Sequence, residues 1–156
     1  MQKNSFVFGG KKKIMGLDIG TKYIGIALSD GDKRMAFPKS TCQWQGAFSE
    51  LKNELDVFFR EESIESIVLG LPLSLDGTLP EKGKNGWATK VQEVREWLEE
   101  TYSISVELMD ERVSTQEAEN RLSETVAVGN LRAMRKDAIA AQIILERYLD
   151  KVNRGK

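Results

Sequence analysis

The chain has 156 residues, of which 40% are hydrophobic and 30% charged, and its formal net charge is −1. This composition predicts one globular domain, and no apolar run reaches the roughly 18 residues that a membrane span requires. The sequence has no histidine and one cysteine, Cys42, which excludes Ser-His-Asp and Cys-His hydrolases, zinc sites built on histidine or several thiolates, and an internal disulfide. A single cysteine is compatible with a reducing, cytoplasmic compartment.

The predicted elements begin with three strands joined by tight turns, at 13–18, 23–29 and about 34–40. Apolar spacing then predicts a helix at 48–62, a buried strand at 66–71, a loop at 73–85, a helix at 86–102 and a strand at 104–109. A capping box at 114–117 predicts a short helix, a flexible connection follows at 124–133, and the last helix covers 133–149. Residues 1–12 are expected to be a flexible extension, 13–150 the domain, and 151–156 a tail.

This order of elements predicts an α/β fold with one mixed five-stranded sheet. The antiparallel three-strand meander is followed by right-handed β-α-β crossovers, which place helices on both faces. The first, fourth and fifth strands are then parallel, and their carboxyl ends meet at one edge. Functional sites of open α/β sheets lie at that edge.

Carboxylates from distant parts of the sequence are predicted to converge there. Asp18 ends the first strand, and Asp110 and Glu111 follow the fifth. Asp137 lies on the last helix at the spacing of a buried face, which it shares with Ala141, Ile144, Leu145 and Tyr148. Carboxylate oxygens favour Mg²⁺ or Mn²⁺. The alternatives are a turn cap at Asp18 and a buried salt bridge between Asp137 and Arg112.

Charge is unevenly distributed along the chain. Residues 1–40 carry eight Lys or Arg and three Asp. Residues 121–156 carry eight Lys or Arg and four Asp or Glu, and the segments between these two are acidic. A local phosphate-binding surface is therefore compatible with the net charge, although solvated charged faces are the simpler interpretation. The candidate nucleic-acid contacts are Lys22, Lys82, Lys84, Arg112, Arg132, Arg135 and Lys136.

Four motifs in order carry a family resemblance. They are Gly16-Leu17-Asp18-Ile19-Gly20 continued by Ile24-Gly25-Ile26-Ala27, then Leu69-Gly70-Leu71-Pro72-Leu73, then Asp110-Glu111-Arg112, and last Asp137-Ala138 with Ala140-Ala141. Over roughly residues 13–150 the chain resembles the YqgF family, bacterial proteins similar to Holliday-junction resolvases and regarded as nucleases of pre-16S ribosomal RNA. Four ordered motifs are specific, whereas one Asp-x-Gly motif is not.

The resemblance implies a ribonuclease H-like fold and a divalent-metal nuclease that matures the 5′ end of 16S rRNA. It places catalysis on Asp18, Glu111 and Asp137, with Asp110 as a further candidate ligand of one or two Mg²⁺ or Mn²⁺ ions. The expected partners are structured RNA or branched DNA and pre-ribosomal particles, with no membrane, for a monomer or a homodimer.

Three other functions compete with this one. A Holliday-junction resolvase would act on DNA, and a non-catalytic assembly factor would bind rRNA without cutting it. An ATP-binding module of the actin and sugar-kinase type shares the Asp-x-Gly-Thr turn. That module needs two such domains, and a chain of 156 residues without repeats supplies one.

Overall fold

The computed structural model describes residues 11–20, 22–70, 87–109, 120 and 130–154, with the backbone alone at 87–89 and 130–135. In chain order the elements are β1 (Lys13–Ile19), β2 (Tyr23–Ser29), β3 (Ala36–Gln43), α1 (Phe48–Glu61), β4 (Ile64–Gly70), α2 (Trp87–Tyr102), β5 (Ser105–Met109) and α3 (Asn130–Arg154). No helix among these residues combines the length and the apolar character that crossing a membrane requires.

The sheet has the strand order β3-β2-β1-β4-β5. β1 pairs with β2 and β2 with β3 in antiparallel fashion, whereas β1 with β4 and β4 with β5 are parallel. The predicted mixed sheet is therefore confirmed. One row of register partners crosses it from edge to edge and consists of Thr41, Gly25, Asp18, Gly70 and Met109.

Two apolar layers cover the two faces of the sheet. Alternate residues of β1, such as Met15 and Leu17, pack with Leu51 of α1 and Val94 of α2. The intervening position Ile14 packs instead in a second cluster formed with α3. This alternation follows from the two-residue period of a strand, and it assigns α1 and α2 to one face and α3 to the other.

Several predicted boundaries are displaced, most of all at β3, which covers 36–43 instead of about 34–40, and at α3. β3 begins at Ala36 because the carboxylate of Asp30 accepts the backbone N–H groups of Arg34 and Met35 at 2.8 and 3.1 Å, which holds these residues in the turn. The last helix begins at Asn130, so the predicted connection at 124–133 is wrong over its final residues, and it continues to Arg154. Basic side chains in its last turn favour that extension. The predicted loop at 73–85 and the capping box at 114–117 lie outside the described residues.

Candidate active site

Asp18 lies near the carboxyl end of β1 with a glycine on each neighbouring strand. Its register partners are Gly25 on β2 and Gly70 on β4. Gly16, two residues earlier on the same face, lies against α3, since a Cβ there would be 3.1 Å from the carbonyl oxygen of Ala141. The side chain of Asp18 therefore projects from the α3 face, where it is partly buried.

Helix α3 crosses the sheet directly over Gly25. A Cβ at position 25 would overlap the carbonyl group of Asp137 and lie 2.9 Å from the backbone nitrogen of Ala138. Only glycine permits this approach without a shift of the helix. Because Gly25 is the register partner of Asp18, the contact places Asp137 beside Asp18, as the sequence analysis predicted.

Burial raises the pKa of both carboxylates, and the charge of Asp137 adds to the effect at Asp18. Removal from water raises the pKa of Asp18 to about 7, and the negative charge of Asp137 contributes to the increase. Burial also raises the pKa of Asp137, against the opposing effect of the neighbouring Lys136. Two partly buried acids side by side are stabilised by a shared proton or by a cation, and their oxygen donors fit a hard divalent ion.

Trp44 holds the turn that follows Asp18. Its indole N–H donates to the carbonyl oxygen of Gly20 at 2.9 Å, and its backbone N–H donates to that of Lys22 at 2.9 Å. The Gly20 N–H donates to the carbonyl oxygen of Tyr23 at 2.9 Å, and a Cβ at position 20 would lie 2.6 Å from that oxygen. Trp44 is 2% exposed, so the turn is fixed from inside the core.

The sequence analysis did not identify Trp44 or the role of Gly25. A glycine inside an otherwise apolar strand is a recognised sign of close backbone approach, so Gly25 carried a usable signal. Nothing local to Trp44 indicates its partner, because Gly20 is 24 residues away along the chain.

The remaining predicted site residues are placed as follows. Lys22 is exposed on the turn after Asp18, and Lys136 is half-buried next to Asp137. Arg132 and Arg135 lie at the start of α3, where the backbone alone is described. Five lie outside the described residues: Lys82, Lys84, Asp110, Glu111 and Arg112. Within the described ranges, no three acidic or cysteine side chains are grouped to hold a metal.

The fold is that of RuvC, within the ribonuclease H-like class. A solved structure of Thermus thermophilus RuvC in complex with a Holliday junction substrate matches 90% of this chain and 96% of its own, with a TM-score of 0.52 and 12% identity. At that identity the likeness concerns the fold alone.

Sequence comparison identifies the family. The family model described as "RuvX: Holliday junction resolvase" matches residues 12–151. A "Putative pre-16S rRNA nuclease" of Syntrophomonas wolfei is 40% identical over 92% of this chain and 98% of that protein. A protein of Clostridioides difficile with the same description is 38% identical over 90% of this chain and 96% of that protein. The chain belongs to this RuvX family of nucleases, also known as YqgF, which confirms the resemblance.

Proposed function

We propose that the protein is a divalent-metal-dependent endonuclease that hydrolyses phosphodiester bonds at the 5′ end of pre-16S ribosomal RNA in the cytoplasm. The observation that supports the activity is the pair of carboxylates, Asp18 and Asp137, at the carboxyl edge of a RuvC-like sheet. The RNA substrate is supported by the descriptions of the relatives that are 33–40% identical to this chain.

Asp18 and Asp137 would hold the ion, and Glu111 is our candidate for the third ligand. Met109, the last residue of β5, packs on the α3 side of the sheet. Glu111 follows this strand end in the sequence, and Asp110 is the alternative ligand. When bound, Mg²⁺ or Mn²⁺ would supply a water-derived nucleophile and neutralise charge on the phosphate.

The protein's own groups would bind and orient the strand. Lys22, which is exposed on the turn after Asp18, would draw a phosphate toward the two acids. Lys136 is a second cation next to Asp137, and Arg112, Arg132 and Arg135 extend the proposed interface. Lys82 and Lys84 are further candidates. With no histidine in the sequence, the proposed hydrolysis needs no nucleophile from a side chain.

The test is cleavage of a matched panel in Mg²⁺ or Mn²⁺: a precursor 16S 5′ fragment, single-stranded DNA and a four-way junction. We expect cleavage of the RNA that Asp18→Asn and Asp137→Asn abolish. Asp150→Asn is the control, since it is the same change at an exposed position of α3. Cleavage of the junction alone would identify a DNA resolvase. RNA binding without cleavage in either metal would identify an assembly factor.

A further inference from the structure

An exposed aromatic side chain stands beside the carboxylate pair. Tyr23, the first residue of β2, is 39% exposed. Four other large apolar side chains of the described residues are similarly exposed: Met35, Phe37, Val57 and Val152. Met35 and Phe37 lie near the turn between β2 and β3, at the opposite end of β2 from the candidate site. Among the described residues, Tyr23 is therefore the exposed aromatic side chain at the end of the sheet where Asp18 lies.

The ring of Tyr23 projects on the same side of the sheet as the carboxylate of Asp18. Tyr23 is two residues from Gly25, and their pairing with β3 is regular, so both face α3. At about 3.3 Å per residue, Tyr23 lies roughly 7 Å along β2 from the partner of Asp18. A strand whose phosphate reaches Asp18 and Asp137 would have its next base within reach of this ring.

The ring is presented by a rigid support. The carbonyl group of Tyr23 accepts the Gly20 N–H, and Trp44 holds both Gly20 and Lys22. A fixed backbone reduces the conformational freedom that Tyr23 loses on binding. Lys22, immediately before it, is also exposed. A cation next to an exposed aromatic is the pairing by which proteins hold the backbone and bases of single strands.

We propose that Tyr23 stacks on an unpaired nucleobase of the RNA strand bound at Asp18 and Asp137, which makes it a specificity residue for single-stranded substrate. The inference rests on the proposed nuclease function and adds to it the requirement for an unpaired base next to the cleaved phosphate. A base in a duplex is already stacked on its neighbours and cannot stack on the ring of Tyr23.

The first measurement is RNA affinity by fluorescence anisotropy, with a short single-stranded oligonucleotide in Ca²⁺ to suppress cleavage. We expect Tyr23→Ala to weaken binding roughly 5- to 100-fold and Tyr23→Phe to remain within about twofold of wild type. Phe37→Ala is the matched control, because Phe37 is 40% exposed on the same sheet but at the far end, and it should bind as wild type does. Equal affinity of Tyr23→Ala and wild type would overturn the proposal.

A second measurement separates stacking from a change in the fold. Oligonucleotides with a single abasic residue at successive positions are bound to wild type and Tyr23→Ala. The ratio of the two affinities should fall to about one at a single position, because the lost base is the one that Tyr23 contacts. A ratio that is the same at every position would show that Tyr23 acts on the turn and not on a base.

The outcomes separate this inference from the proposed function. If wild type cleaves RNA in Mn²⁺ and the abasic series shows no special position, stacking is wrong and the nuclease function stands. If the special position appears but no metal supports cleavage, the base site stands and the nuclease function is wrong.

Discussion

At the scale of single residues, the raised pKa of Asp18 makes a distinct contribution to the pH dependence of stability in the metal-free protein. The pKa of Asp18 is about 7 in the folded state and about 3.9 in an unfolded chain. Between these values the folded protein binds more protons than the unfolded one, so the free energy of unfolding decreases as pH rises. This direction is opposite to that of an acid stabilised by a salt bridge.

We therefore expect metal-free wild type to lose stability between about pH 4 and pH 7 relative to Asp18→Asn. The loss is at most about 4 kcal/mol, at roughly 1.4 kcal/mol per pH unit. Urea unfolding of both proteins across this range measures it. Saturating Mg²⁺ should remove the loss, since a bound cation favours the ionised carboxylates. Parallel pH profiles for the two proteins without metal would contradict the prediction.

Trp44 supports a second prediction for a single residue. Trp44→Phe keeps an aromatic ring in the core but removes the indole N–H that donates to Gly20. The lost hydrogen bond and the smaller ring should lower the free energy of unfolding by about 1–3 kcal/mol. Denaturant unfolding gives this value, and Trp97→Phe serves as the control because Trp97 is only partly buried against the same cluster. A larger cost at Trp97 than at Trp44 would contradict the prediction.

At the scale of elements, helix α3 rests on glycines of three strands, and its height above Gly25 sets the position of Asp137. Gly16, Gly25 and Gly70 all lie beneath it. The three contacts differ in what a side chain would meet. At Gly25 it would meet the helix backbone, whereas at Gly70 it would meet the end of the Ile144 side chain, which can rotate away.

Gly25→Ala should displace α3 outward and withdraw Asp137 from Asp18. We expect Mn²⁺ affinity to fall about 10- to 100-fold, as for other changes that misplace a metal ligand, and stability to fall by about 1–3 kcal/mol. Isothermal titration calorimetry with Mn²⁺ measures the first effect. Gly70→Ala, on the strand at the other side of Asp18, is the control and should lower the Mn²⁺ affinity less than Gly25→Ala does.

A compensating change tests whether the displacement of Asp137 causes the loss of Mn²⁺ affinity in Gly25→Ala. Asp137→Glu adds one methylene and should restore part of the reach that Gly25→Ala removes, although on its own it should weaken Mn²⁺ binding. The double variant is then expected to bind Mn²⁺ more tightly than Gly25→Ala alone. If the losses of Mn²⁺ affinity in the two single variants simply add in the double variant, Gly25 does not position Asp137.

The types of the elements were predictable from sequence because apolar residues recur with different periods in strands and in helices. The face of α3 that contains Asp137 follows from the spacing of Ala141 and Leu145, which are fully buried. The start of β3 was not predictable from the two-residue period alone, because the carboxylate of Asp30 binds the backbone N–H groups of Arg34 and Met35 and keeps these residues in the turn. The contact of Gly25 with Asp137 joins positions 112 residues apart (137 − 25). The glycine in the strand signals a close approach, but no local pattern identifies Asp137 as the partner.

At the scale of the whole molecule, charge is separated along the chain despite the net value of −1. Lys22 belongs to the basic amino-terminal part and is exposed on the turn that follows Asp18. Lys52, by contrast, lies on α1 on the other side of the sheet and is paired with Asp56 at 2.7 Å. RNA binding through the α3 side should therefore depend on the first lysine and not on the second.

We expect Lys22→Ala to reduce the slope of log affinity against log salt by about 0.7, the value for one lost phosphate contact on a single strand. Lys52→Ala should leave the slope unchanged. Anisotropy titrations over a salt series in Ca²⁺ measure both. An unchanged slope in Lys22→Ala would remove this lysine from the RNA-binding surface.

The distance in sequence between the two acids has a consequence for synthesis. Asp18 is synthesised 119 residues before Asp137 (137 − 18). Helix α3 is tied to the β2–β3 hairpin by the hydrogen bonds that Gln142 donates to Ala36 and Asn153 donates to Lys33. Because the entropy of loop closure opposes so distant a contact, we expect it to form late in folding. In stopped-flow refolding, Mn²⁺ binding should thus recover only with the docking of the last helix. A chain in which α3 has not yet docked has no Asp137 beside Asp18, so it should not bind the metal at this site.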